Sequence, residues 1–242
     1  MPNKGWFMWN GVRSTDMGVI VTEQPDIIRP EERLLATKNV PGRSGSLTIA
    51  EGDCVYDTFT VSAICMLRNP ALIPQISRWL HGSGQLVLGN YAYGYYNARV
   101  NNQISFAQIL RGRENKTFAV NFLCQPFLYL ATGDVETEYT SSGVSITNRG
   151  TVFSEPYITV YGSGDISLTI APATGDARTL EIADVDGSIV IDNATRLAYK
   201  GDVNLCGSVT GDDWLIFPEG TSTLSWTGNV SRVIVIPKWR DL

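Results

Sequence analysis

The chain has 242 residues, of which 43% are hydrophobic and 18% charged, and its formal net charge is -5. This length is generous for one ordinary domain and sufficient for two, and the balance excludes a disordered chain. No apolar run of about eighteen residues occurs, so no transmembrane helix and no membrane insertion are expected, and the start at Met1 lacks the apolar stretch of a signal peptide.

The charge is unevenly shared. Up to Leu130 there are 12 basic against 9 acidic residues, or +3, and beyond it 7 against 15, or -8. Such asymmetry suits two units with different surroundings. No basic stripe interleaves with aromatics, which argues against nucleic-acid binding.

In the first half, residues 46–50 and 85–89 read as short strands. Two longer stretches alternate with period two. Phe59, Val61 and Ala63 share one face, as do Phe118, Val120, Phe122 and Cys124. Between them lies one helix. Asn69 is its N-cap, Pro70 opens its first turn and Gly82 is its stop, while Leu72, Ile73, Ile76, Trp79 and Leu80 make an apolar stripe. Pro74 predicts an irregular first turn. The glycines of GSG at 82–84 read as a turn after that helix.

Residues 132–145 are polar and follow an apolar run, which places a domain join between Leu130 and Ser145. The expected domains are 1–131 and 132–242. The second half reads as seven short strands at 157–161, 165–170, 179–182, 188–192, 214–217, 222–226 and 231–236. Glycine-rich turns are expected between them, including a hairpin on Asp186 and Gly187, and the pattern suggests a β-sandwich.

Little here suggests catalysis. The only histidine is His81, where the helix ends, a position at which it would favour the helix's negative pole. No nucleophile elbow, zinc-protease motif or phosphate loop is present. Cys54, Cys65, Cys124 and Cys206 match no metal spacing and read as reduced core or near-core thiols of a cytoplasmic environment, which makes the sequons at Asn115, Asn193 and Asn229 chance matches. Asp184, Asp186 and Gly187 reproduce only a fragment of a calcium loop. Asp212 and Asp213 beside Trp214 could line a sugar site or form a plain loop. No metal ligand, catalytic residue or cofactor is assigned. Tyr91, Tyr93, Tyr95 and Tyr96 lie within six residues, which reads either as a subunit contact or as a strand with tyrosines on both faces. The stretch from Arg29 through Arg33 to Lys38 mixes charges of both signs, which reads either as the rim of an interface or as a solvated loop.

A set of motifs runs in chain order: FMWNG at 7–11, STDMGVIV at 14–21, VPGRSGSL at 40–47, RWLHG at 78–82, YYNARV at 95–100 and FAVNFLCQPF at 118–127. In the second half follow NRGT at 148–151, SEP at 154–156, ITVYGSG at 158–164 and IPKWR at 236–240. Together they resemble the distal tail protein family of long-tailed bacteriophages that infect mostly Gram-positive hosts. Ser44 stands where the family often has aspartate.

The resemblance implies a mainly β protein with an N-terminal tail-tube-like β-sandwich carrying one helix and a C-terminal galectin-like β-sandwich. It implies a structural protein and no enzyme: a homo-hexameric ring, single or stacked, between the tail tube protein and a tail-associated hub, baseplate or receptor-binding protein. DNA would meet it only in passage through the channel. The ring would be assembled in the host cytoplasm and sit at the virion tail tip. Tyr93, Tyr95 and Tyr96 would form part of one inter-subunit surface, and the arm carrying Arg29, Arg33 and Lys38 would reach the neighbour. The alternative reading is a carbohydrate-binding module that aids attachment to the host surface, carried by the second domain.

Overall fold

The structure, a computed structural model, describes residues 5–23, 25–26, 28–52, 54–108, 116–211 and 213–242. The chain divides into two compact units, residues 1–128 with 242 and residues 129–241. The elements of the first are β1 (Phe7–Trp9), β2 (Val12–Arg13), β3 (Val19–Val21), β4 (Leu34–Asn39), β5 (Ser46–Ala50), β6 (Phe59–Leu67), α1 (Ile73–Trp79), β7 (Ser83–Leu88), β8 (Gly94–Val100), β9 (Ala107–Gln108) and β10 (Lys116–Leu130). The last two residues of β10, Tyr129 and Leu130, belong to the second unit.

The first unit's main sheet runs in the order β2, β1, β7, β8, β10, β6, β3, with β9 also pairing on β10. The alternation seen in the sequence sets its register. Phe118 faces Cys65, Val120 faces Ala63, Phe122 faces Val61 and Cys124 faces Phe59, so the apolar members of both strands fall on one buried face. Each such side chain taken fully out of water contributes roughly 2 kcal/mol.

The helix begins as expected and then departs from one continuous spiral. The Asn69 side chain accepts a hydrogen bond from the Ala71 N–H at 3.1 Å, and residues 70–72 form a 3-10 turn before α1. Pro74 has no N–H to give an α-helical ladder, so the tighter turn precedes it. Ile76 and Leu80 are buried, Trp79 stacks on Phe7 with centroids 5.6 Å apart, and its indole N–H donates to the Trp9 carbonyl at 3.2 Å. Gly82 ends the segment with φ of 71°. Gly84, expected in a turn, lies inside β7, where an added Cβ would collide with the Asn10 side chain.

Burial pushes the thiols of Cys65 and Cys124 up from 9.0 to about 12, because their neighbours are apolar and cannot solvate a thiolate. A pKa raised on folding stabilises the folded state fully below the unfolded value, and that contribution is lost as pH climbs toward the folded one. The first unit is therefore expected to melt at progressively lower temperature between about pH 9 and pH 12, as its two buried thiols are forced to ionise. Melting curves of a Cys65→Ala, Cys124→Ala double variant check this: the same alkaline slope in the variant would assign it to other groups.

The second unit holds β11 (Thr137–Tyr139), β12 (Val144–Thr147), β13 (Tyr157–Pro172), β14 (Arg178–Asp192), β15 (Leu197–Lys200), β16 (Val203–Asn204), β17 (Val209–Gly211), β18 (Thr221–Ile236) and β19 (Arg240–Asp241). Six of the seven expected strands are halves of β13, β14 and β18, and 214–217 forms no strand beyond an isolated bridge between Ser154 and Phe217. The expected turns at 162–164, at Asp186 and Gly187, and at Gly228 are interior positions of those three strands. Gly162 pairs with Gly187, and β13 shifts register against both neighbours near this level.

The glycines and bulges bend the sheet without breaking it. Extra residues at the bulges reverse the inward parity of two strands: β14 buries Leu180 and Ile182, then Ile189 and Ile191, and β18 buries Leu224, then Val233 and Val235. Both halves of the bent sheet consequently feed one core, in which Ile158 and Val160 join Ile166, Leu168 and Ile170. The sandwich is a single sheet folded on itself. β11 and β12 pair with β18 at its two ends, opposite Val233–Val235 and Thr221–Leu224 respectively.

Candidate functional site

The structure gathers three of the expected interface residues on or beside one feature, the hairpin of β4 and β5. Its root is tied down by backbone hydrogen bonds from Arg33 N to Val55 O at 2.9 Å and from Asp57 N to Glu31 O at 2.8 Å. Arg33 also pairs with Asp57 at 2.8 Å and Glu51 at 3.6 Å, and its hydrogen bond to Asp57 raises its pKa further. Lys38 lies nearer the tip, opposite Leu47, and Arg29 lies exposed ahead of the root.

The hairpin itself has no core beneath it. Every residue from 31 to 52 is exposed, including Leu35 at 69%, Leu34 at 47%, Ile49 at 44% and Leu47 at 41%. Pairing of Ala36 with Ile49 and Lys38 with Leu47 puts Leu47 and Ile49 on one face, while Thr37, Thr48, Asn39 and Ser46 occupy the other. An isolated two-stranded hairpin is marginal in water, and a contiguous apolar face costs free energy until something covers it. Leu47 and Ile49 were not legible as exposed, because an apolar alternation looks the same with or without a core beneath it.

The tyrosines occupy β8 and the residues before it, and the structure separates their roles. Tyr96 lies on the same side of β8 as buried Ala98 and packs edge-on against Phe59 with centroids 5.3 Å apart. Tyr95 lies on the opposite side, with exposed Asn97 and Arg99. Tyr93 is half exposed and meets Tyr91 edge to face at 5.6 Å.

In the second unit, Asp213 is engaged by Arg178 at 2.7 Å and accepts the Trp214 N–H at 2.8 Å, so this carboxylate is already partnered; Asp212 and Asn115 lie outside the described residues. Asn193 is a buried structural amide: it donates to Pro156 O at 2.7 Å and accepts from Leu215 N at 2.8 Å. Asp186 pairs with Lys200 at 3.3 Å. Among the described residues no three His, Cys, Asp or Glu side chains converge as a metal site requires, and no helix is long and apolar enough to cross a membrane. A cleft of about 430 Å³ is lined by both β11 and β12, with Arg149 and Trp239 among its walls.

No protein-family model matches the chain, and no curated protein matches it in sequence. Among solved structures the chain is similar to the Dit protein of phage SPP1, described as a paradigm of the hub adsorption apparatus in Gram-positive infecting phages. The likeness has a TM-score of 0.72 at 15% identity and covers 96% of this chain and 97% of that one. The mainly β fold implied by the motif resemblance is therefore the fold observed.

Proposed function

We propose that this chain is a structural component of a bacteriophage tail tip, where six copies close into a ring between the tail tube and the receptor-binding apparatus. The observation that carries the reading is the hairpin of residues 34–50, built on a fold shared along its length with a phage hub protein and exposing an apolar face. A ring closes when two different surfaces of one subunit meet in the next copy. The hairpin is one such surface, with Arg29, Arg33 and Lys38 as its polar surroundings, and the side of β8 carrying Tyr95, together with Tyr93, belongs to the other. The ring leaves a central passage for DNA, forms in the host cytoplasm and remains at the tail tip of the virion.

Light scattering of the purified whole chain tests this, with a mass six or twelve times that of one copy expected. Tyr95→Ala is expected to lower that mass while the chain remains folded. Tyr96→Ala is expected instead to cost about 2 kcal/mol of folding stability, since it removes packing on Phe59. A single-copy mass for the native chain at every concentration would sink the ring.

A further inference from the structure

The cleft of the second unit shares no residue with the proposed ring surfaces, and its charge is unusual for its surroundings. From residue 131 onward there are 15 acidic and 7 basic residues. Five of the seven cations have a carboxylate partner: Arg178 with Asp213, Lys200 with Asp186, Arg232 with Glu138, Lys238 with Asp134 and Arg240 with Glu155. Arg149 has no such partner among the described residues, although acids outnumber cations two to one, and it lines the cleft.

The backbone that presents Arg149 is held on both sides. The Asn148 side chain is buried and donates to Val152 O at 2.9 Å and Phe217 O at 3.1 Å, while its oxygen accepts from Gly150 N at 2.8 Å. Thr151 N donates to the Asp241 carboxylate at 3.0 Å, and a side chain at Gly150 would run into the Arg240 carbonyl. These bonds fix the loop, and the exposed guanidinium it carries has no carboxylate partner among the described residues. A loop already held in place adds no backbone-ordering cost when the side chain it carries takes a ligand.

The walls narrow the ligand class. Thr137, Tyr139 and Thr147 lie among them with Val235, a polar and apolar mixture suited to a polyol ring although the Thr147 hydroxyl also meets that of Thr221 at 3.0 Å, and the volume falls in the range of small-molecule sites. Trp239 is only 4% exposed, so it offers no open face on which a neutral sugar could stack. The anchor must come from Arg149, whose planar fork takes a carboxylate or phosphate through two parallel hydrogen bonds. β11 and β12 span three and four residues, which is short for adding a peptide strand. We propose that this cleft binds an anionic sugar of about one ring, the acid group on Arg149 and the ring hydroxyls among the threonines. The proposal does not depend on the tail-tip reading.

Titration of the whole chain with glucuronic acid and with glucose 1-phosphate tests it, with glucose, inorganic phosphate and a short glutamate-rich peptide as comparisons. Saturable binding of at least one anionic sugar is expected, and which one binds tells carboxylate from phosphate. Glucose and inorganic phosphate should each bind at least about 10-fold more weakly, since each keeps half of the recognition. Arg149→Ala should weaken the sugar by about 10-fold or more, Arg149→Lys by less, and Arg196→Ala, on an exposed turn outside the cleft, not at all. All three variants should melt with the native chain. No saturation by about 10 mM, equal binding of glucose, indifference to Arg149→Ala, or tighter binding of the peptide would each overturn the proposal.

Discussion

Replacing Leu47 and Ile49 together by glutamate is expected to leave a folded single copy where the proposed ring would otherwise form. Both side chains lie on one face of a hairpin that contributes nothing to the first unit's core cluster, so the substitutions remove no packing from that core. In the ring that face would be covered by the neighbouring copy, and each glutamate would carry a charge into an apolar contact. Loss of an interface anchor costs about 2 kcal/mol or more, close to a 30-fold fall in one contact's association constant. The penalty recurs at every junction of a closed ring, so assembly fails while folding does not. Thr48→Glu, on the opposite face of the same hairpin, should have a much smaller effect. Light scattering with thermal melting separates the outcomes. An unchanged ring in the Leu47→Glu, Ile49→Glu variant would show that the hairpin is not a contact, and a collapsed melting temperature would show that it packs on its own unit.

The second large effect is expected from Gly228→Val. Gly228 sits at the bend of β18 with φ of 95°, a backbone conformation that a β-branched residue resists, and an added Cβ would overlap the Asp165 carbonyl. Strain and overpacking together should cost about 4 kcal/mol, most of the stability of a unit this size. Gly162 is constrained in the same place, since a Cβ there would lie 2.5 Å from the Asn229 carbonyl oxygen. If the two units fold separately, as the polar stretch after Leu130 led us to expect, the loss falls on the second alone. Calorimetry should then show one transition lowered and the other retained, and protease should digest the second unit while residues before about 130 resist. Joint loss of both units would refute separate folding, and an unaffected melt would show that β18 accommodates the side chain.

The residues alone determined whatever depends on neighbours along the chain. Phe59, Val61 and Ala63, and Phe118, Val120, Phe122 and Cys124, recur at every second position, so which of these side chains face the core, and with it the β class of the first unit, followed from a period of two. Asn69, Pro70 and Gly82 bounded the helical segment because capping is decided within one turn, and Pro74 announced its irregular start. The tertiary structure decided three other things. Gly162, Gly187 and Gly228 permit either a turn or a bulge, and only the pairing of β13 with β14 and β18 made them bends in continuous strands. The alternation of Leu47 and Ile49 matches that of a buried strand, but no core lies under them, and burial belongs to the surroundings of a strand rather than to its sequence. Arg149 is one of seven cations in an acidic half, and its lack of a carboxylate among the described residues depends on where residues up to about a hundred positions away come to rest. Ion pairing and exposure are properties of distance in space, and the spacing of residues along a chain does not encode them.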